Sequence, residues 1–273
     1  MTRFVIVPQW QGSPSPRAMQ LVDGAEAIAG DLPRAACLRV EVPLEAGDAL
    51  GTGVHRLSAL QQVRERLDDT LAPIAEQVLL VGGDCSVAVA GIRHARGRFG
   101  RIAVVWADAH PDLHSPASSP SHAFSGMSLR AVLGEGPEGL TLDAGDISPA
   151  DVILAGTRSI DDEENAFIAA SGVRMIDADG LRNPDALAEA VRATGADAVF
   201  VHVDLDVLDP AEMPGVKTAE PFGVSVADLV TAVKRLREAV PLAGASLTEF
   251  VPASAAAAQD DMGTILRLVG ALA

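Results

Sequence analysis

Short apolar runs alternate along this chain with longer Ala- and Leu-rich stretches. Phe4–Val7, Val78–Val81, Ile102–Trp106, Val152–Ala155, Val199–Val203 and Ala245–Thr248 are nearly continuous in apolar character rather than alternating. Runs of that kind read as strands buried on both faces, as in a parallel sheet covered by helices on each side. Helical stretches lie between them at Gly53–Leu71, Ser86–Ala95, Pro184–Ala193 and Ser225–Ala239, and an apolar helix runs from about Met262. Ser225 with Asp228 three residues on is a capping-box-like start, with Asp in place of the usual Glu. Such alternation predicts an open, doubly wound α/β sheet with right-handed crossovers, in one domain spanning 1–273. The chain shows no internal repeat. The Pro/Ser-rich segment Ser115–Ser125 is too short for a linker and reads as a functional loop after a strand.

Composition narrows the function. With 21 basic and 37 acidic residues the net charge is −16, and the pI is about 4.6. No basic excess exists to neutralise phosphates, which argues against a nucleic-acid partner. A hydrophobic share of 48% with 21% charged residues excludes a disordered chain. No apolar run reaches the ~20 residues of a membrane span, and the opening residues lack a long secretory apolar core. Two cysteines, Cys37 and Cys85, make no disulfide framework. The expectation is a cytoplasmic protein without membrane partners, acting on a small molecule.

In doubly wound sheets ligands bind beyond the carboxyl ends of the strands. Four strand ends here carry polar residues: Gly82-Gly83-Asp84-Cys85-Ser86, Asp108-Ala109-His110-Pro111-Asp112, Asp204-Leu205-Asp206, and Glu249. In an extended chain alternate residues share one side, so Asp108, His110 and Asp112 are expected to converge, as are Asp204 and Asp206. Crowding them at one sheet end would be prohibitive without positive charge among them. Mixed carboxylate and imidazole donors suit a divalent first-row metal. Four carboxylates and one histidine exceed the needs of one ion, so two ions sharing carboxylates fit better. Paired ions about 3.5–4 Å apart typically activate water for hydrolysis. A lone D-x-D is usually a turn or a helix cap; both motifs, each after a buried strand, outweigh that reading.

The set GGDCS at 82–86, WADAHPD at 106–112, HVDLDVLDP at 202–210 and LTEF at 247–250 resembles the ureohydrolase family, which includes arginase, agmatinase and formiminoglutamase. The resemblance spans most of the chain in the same order. It implies a three-layer α/β/α sandwich with a mainly parallel, roughly eight-stranded sheet, two Mn2+ ions, and hydrolysis of a guanidino-type C–N bond. It further implies that Asp108 and Asp204 bridge both ions, Asp112 completes one, and His110 with Asp206 completes the other. Glu249 looks like the carboxylate that holds the substrate's guanidinium group.

Two departures from the family pattern are informative. Its first motif reads GGDHS, with the histidine a metal ligand; here that position is Cys85. Its HGM segment is Ser125-Gly126-Met127, so the proton-shuttling histidine is a serine. Cys85 then has three readings: thiolate ligand, inert filler, or nucleophile at a helix start. A thiolate is a soft partner for Mn2+, so one ion is expected to bind more weakly. His122, three residues before Ser125, is a candidate replacement for the shuttle. An alkylguanidinium needs a proton delivered to a basic leaving amine, whereas an N-hydroxyguanidine is less basic and more easily attacked. The combination therefore resembles the branch of the family that hydrolyses Nω-hydroxy-L-arginine to hydroxyurea and L-ornithine in D-cycloserine biosynthesis.

By the same resemblance Ser119, Ser121 and His114 surround an α-carboxylate, while Asp161 and Glu164 face an α-amino group; alternatively Asp161 and Glu164 simply start a helix. Arginine or another guanidino acid is the alternative substrate, and a non-catalytic metal-binding module the second alternative. His55 and His94 read as surface residues, Cys37 as packed, His202 as core, and Trp106 as a strand residue behind the metals. The family's G-T-G-T-P stretch appears as Gly215-Val216-Lys217-Thr218-Ala219. With no tail after the last helix, a monomer is expected.

Overall fold

The computed structural model describes residues 2–273. Its strands are β1 (Thr2–Ile6), β2 (Cys37–Arg39), β3 (Gln77–Val81), β4 (Ile102–Ala107), β5 (Val152–Ala155), β6 (Arg174–Ile176), β7 (Ala198–Asp204) and β8 (Leu242–Thr248). They form one eight-stranded sheet in the order β2-β1-β3-β8-β7-β4-β5-β6, and every neighbouring pair is parallel. The helices are α1 (Gln20–Gly30), α2 (Leu57–Leu71), α3 (Val87–Phe99), α4 (Ser128–Val132), α5 (Asp162–Ser171), α6 (Ala186–Arg192), α7 (Val226–Ala239) and α8 (Ala255–Leu272).

Alternating side chains of the central strands feed cores on opposite faces of the sheet, as β4 shows. Ala103, Val105 and Ala107 of β4 join Ile28 of α1, Leu187 of α6, Leu229 of α7 and Leu268 of α8. Ile102, Val104 and Trp106 face the other way, toward Leu60 of α2, Ile92 of α3, Leu129 of α4 and Ile168 of α5. A strand apolar at every position is what such a three-layer arrangement requires. The six apolar runs are all strands, with ends shifted by up to three residues. The edge strands β2 and β6 carry no such run: each has three residues and includes an arginine, because an edge strand is covered on fewer sides. Helices α1 and α4 are also additions, α5 follows the helix-start reading of Asp161 and Glu164, and α8 begins seven residues before Met262.

The four strands whose ends carry the polar motifs are neighbours at the middle of the sheet. The crossover from β3 to β4 leaves room for β8 and β7 between them. Register then aligns their ends. Ala107 pairs with Val203, so the next residues, Asp108 and Asp204, come side by side. Asp204 pairs with Thr248, which sets Glu249 one residue further along. Gly83 has φ +77, and a Cβ there would lie 2.6 Å from the Val7 carbonyl oxygen, so only glycine lets the chain turn toward Asp84.

Candidate metal centre and substrate cavity

Turns, rather than extended alternation, bring the acids together. β4 stops at Ala107 and β7 at Asp204. The Asp204 carboxylate accepts the Asp206 N–H at 2.8 Å, and Leu205–Val207 wind into a 3₁₀ turn. Asp108 accepts the His110 N–H at 2.6 Å. Asp112 has φ +52, and its carbonyl accepts the N–H groups of Leu129 and Arg130 at the start of α4. Glu249 is likewise left-handed, with φ +64. A non-glycine residue held there costs roughly 1–3 kcal/mol, and both carboxylates line the same cavity of about 350 Å³.

The donor atoms of Asp108, His110 and Asp206 lie within 4.8 Å of one another, as do those of Cys85, Asp204 and Glu249. His110 Nδ1 is 3.1 Å from Asp206 and 3.4 Å from Asp108. The Cys85 thiol donates to Asp204 at 3.0 Å, with Asp108 at 3.9 Å. Asp112 faces the cavity with a buried Oδ2 that has no hydrogen-bond partner among the described residues. Asp108 is buried beneath His110 and Asp206 rather than lining the cavity itself, and it also accepts the Trp106 indole N–H at 3.2 Å. Behind it Trp106 and His202 stack with centroids 3.8 Å apart, and His202 Nδ1 bonds the Ser246 hydroxyl at 2.8 Å. Burial pushes His202 down to about 3, so it is a neutral core histidine.

The electrostatics are those of a site built for cations. Burial, then Asp206, raises Asp108 to about 6; burial and neighbouring acids lift Asp112 and Asp204 well above the usual carboxylate range. Burial alone would discharge His110, but its bonds to Asp108 and Asp206 hold it charged, up to about 12. Asp206 moves down despite burial because His110 donates to it. Burial and then four carboxylates push the Cys85 thiol up, which disfavours a free nucleophile. Acids clustered at such cost, with orphaned oxygens on Asp112 and Glu249, are suited to binding divalent ions.

The rim of the cavity is made differently. Asp161 caps α5 by accepting the Glu164 N–H at 3.0 Å, and Glu164 reaches back to the Asp161 N–H, a full capping box. The helix-start reading and the site reading thus coexist. His114 Nε2 pairs with Asp161 at 2.7 Å, and Glu164 also accepts the Leu113 N–H at 3.1 Å. His114, Ser121, Asp161 and Glu164 all line the cavity. Ser119 does not: its hydroxyl accepts the His122 N–H at 3.1 Å, inside its own loop. That hydroxyl also lies 3.4 Å from the hydroxyl of Ser121, which does line the cavity. His122 is exposed, its ring 5.5 Å from that of exposed His55, and lies outside the cavity that Ser125 lines. It is not placed to replace a shuttle. His94 is half-buried rather than on the surface, and Cys37 sits half-buried on edge strand β2.

Lys217 is the residue whose place in the site sequence reasoning missed. Its Nζ is 3.7 Å from Glu249 Oε2, and it lines the cavity with Thr218. A compositional signal existed: the chain has two lysines, Lys217 and Lys234, against a total of 21 basic residues. Arg158 is a second omission. Its guanidinium donates to the carbonyls of Gly156, Asp206, Val207, Leu208, Glu220 and Pro221, clasping the turn that carries Asp206 to the loop beyond Lys217.

A family model described as "Arginase family" matches residues 23–270. The chain is 34% identical over 209 residues to an arginase of Bacillus subtilis, covering 73% of this chain and 71% of the relative. It is 31% identical over 234 residues to an arginase of Bacillus caldovelox, covering 82% and 76%. In structure it is similar to the Entamoeba histolytica arginase solved with L-ornithine: TM-score 0.86 at 22% identity, over 99% of this chain and 97% of that one. No helix among the described residues is long and apolar enough to cross a membrane.

Proposed function

The chain belongs to the arginase family, and from that premise we propose that it is a dimanganese amidinohydrolase that cleaves Nω-hydroxy-L-arginine to hydroxyurea and L-ornithine. The observation that carries the substrate choice is Ser125. It lines the cavity where the family pattern places a shuttle histidine, and His122 lies outside. With no imidazole to hand a proton to a strongly basic leaving amine, the less basic N-hydroxyguanidine is the better substrate.

Cys85, Asp108, Asp112 and Asp204 would hold one ion, and Asp108, His110, Asp204 and Asp206 the other. When bound, two such ions supply Lewis acidity and lower the pKa of water. Glu249 orients the guanidine carbon; its two oxygens accept no hydrogen bond among the described residues and are free to receive substrate N–H groups. His114, Ser121, Asp161 and Glu164 face the end of the cavity suited to an α-amino acid, where Asp161 and Glu164 offer acceptors for an ammonium, the Ser121 hydroxyl a donor for a carboxylate, and His114, bonded to Asp161 through Nε2 and to Ser118 through Nδ1, holds Asp161 in place beside them. Water adds across the guanidine carbon, the C–N bond to the δ-nitrogen breaks, and ornithine leaves with the proton.

The arginase names of the sequence relatives favour arginine as a second reading. The experiment is a paired assay of Mn2+-loaded protein on hydroxyarginine and arginine, with ornithine quantified. A strong preference for hydroxyarginine is expected. Equal or faster turnover of arginine would replace the reading with arginase, and no hydroxyurea would end it.

A further inference from the structure

We propose that Lys217 determines which guanidine the cavity accepts: its ammonium, set against the Glu249 carboxylate, disfavours a second full positive charge there and selects a neutral, weakly basic guanidine over an alkylguanidinium. The inference deepens the proposed function and relies on it for the role of Glu249 as the guanidine-binding carboxylate.

Three observations carry it. Lys217 Nζ lies 3.7 Å from a Glu249 side chain that is only 2% exposed, inside the cavity that also contains Asp204 and Asp206. The loop bearing Lys217 is tied to the segment that follows Glu249: the Val251 N–H donates to the Gly215 carbonyl at 2.7 Å, and Val216 pairs antiparallel with Phe250. The ammonium is therefore delivered by a braced loop. It also stays charged. Burial disfavours the charged form, and the Glu249 carboxylate 3.7 Å away offsets that and raises its pKa above the usual lysine value.

Hydrogen-bond chemistry points the same way. An alkylguanidinium presents only N–H donors, and so does a lysine ammonium, so both must compete for the Glu249 oxygens. Like charges juxtaposed in a partly dehydrated site are strongly disfavoured. A neutral N-hydroxyguanidine carries no such charge, and its hydroxyl oxygen accepts a hydrogen bond from the ammonium.

The test uses the Mn2+-loaded protein and K217M, K217G and K217R. For each, kcat/KM on arginine and on hydroxyarginine is measured, together with calorimetric Kd for both ligands. K217M and K217G are expected to move the arginine-to-hydroxyarginine ratio toward arginine by roughly tenfold or more, while K217R keeps the wild-type ratio. An unchanged ratio in folded, Mn2+-binding K217M and K217G would overturn the inference, since the ammonium would then leave the subsite once ions bind. A K217R shift as large as that of K217M would also overturn it. If wild-type protein turns over neither compound, the proposed function fails, and the Kd ratios alone decide the role of Lys217. Equal changes in affinity for both ligands would then sink it.

Discussion

The floor of the cavity and its rim draw on the same residue types but hold them by opposite means. Floor residues sit at the ends of β3, β4, β7 and β8, where sheet register sets Asp108 beside Asp204. Their carboxylates face one another, and burial makes each one's charge expensive. Rim residues sit on loops and on the first turn of α5, where Asp161, Glu164 and His114 have already satisfied one another. A floor that is electrostatically unhappy by itself is built to take cations. A rim that is satisfied by itself is built to recognise a ligand with little rearrangement.

The largest effect should come from D204N, which removes charge from the shared floor position: kcat is expected to fall roughly a thousandfold. A residual rate within tenfold of wild type would show that the floor is not the reacting centre.

Metal removal should come next. In metal-free protein, Glu249 at about 7 and Asp108 at about 6 bind protons more readily folded than unfolded. Their repulsion is thus relieved, and stability rises, as pH falls from about 7.5 toward the ordinary carboxylate range near 4. Saturating Mn2+ at about a hundred times its Kd should add about 2.7 kcal/mol, or roughly 5 °C in Tm for a chain of 273 residues, at neutral pH, and that gain should shrink on acidification. Thermal melts with and without chelator read both trends. Identical pH profiles would contradict the floor as described.

D161A should raise KM about tenfold with kcat nearly unchanged and cost about 1 kcal/mol from the lost cap. A fall in kcat comparable to that of D204N would erase the distinction between the regions. The smallest contrast lies within one loop. S121A should raise KM a few-fold through one lost hydrogen bond, and S119A should leave KM alone. A reversed order in steady-state kinetics would restore Ser119 to the site.

Much of the floor was legible in the sequence because a D-x-H-x-D and a D-x-D after buried apolar runs have few other physical uses. The reason given for their convergence was wrong in detail, since a 3₁₀ turn at Leu205–Val207 and a left-handed Asp112 do the work rather than strand alternation. The edge strands were illegible because their burial is one-sided and their arginines interrupt any apolar run. Lys217 escaped because its meaning depends on a contact with Glu249, 32 residues later in sequence, which no local pattern encodes. Ser119 looked equivalent to Ser121 in a Pro/Ser loop, and only the folded loop shows that Ser121 lines the cavity while Ser119 is buried within the loop.

The left-handed backbones of Asp112 and Glu249 also bear on how this chain can drift. Glycine adopts that conformation freely, so either acid could be exchanged for glycine with a gain in fold stability and the loss of a carboxylate. Mutational pressure toward a sturdier protein therefore points away from the site at both positions. Keeping the acids means holding them against that slope, and Asp112 and Glu249, which lie just beyond the buried strands β4 and β8, are where the chain trades stability for a donor.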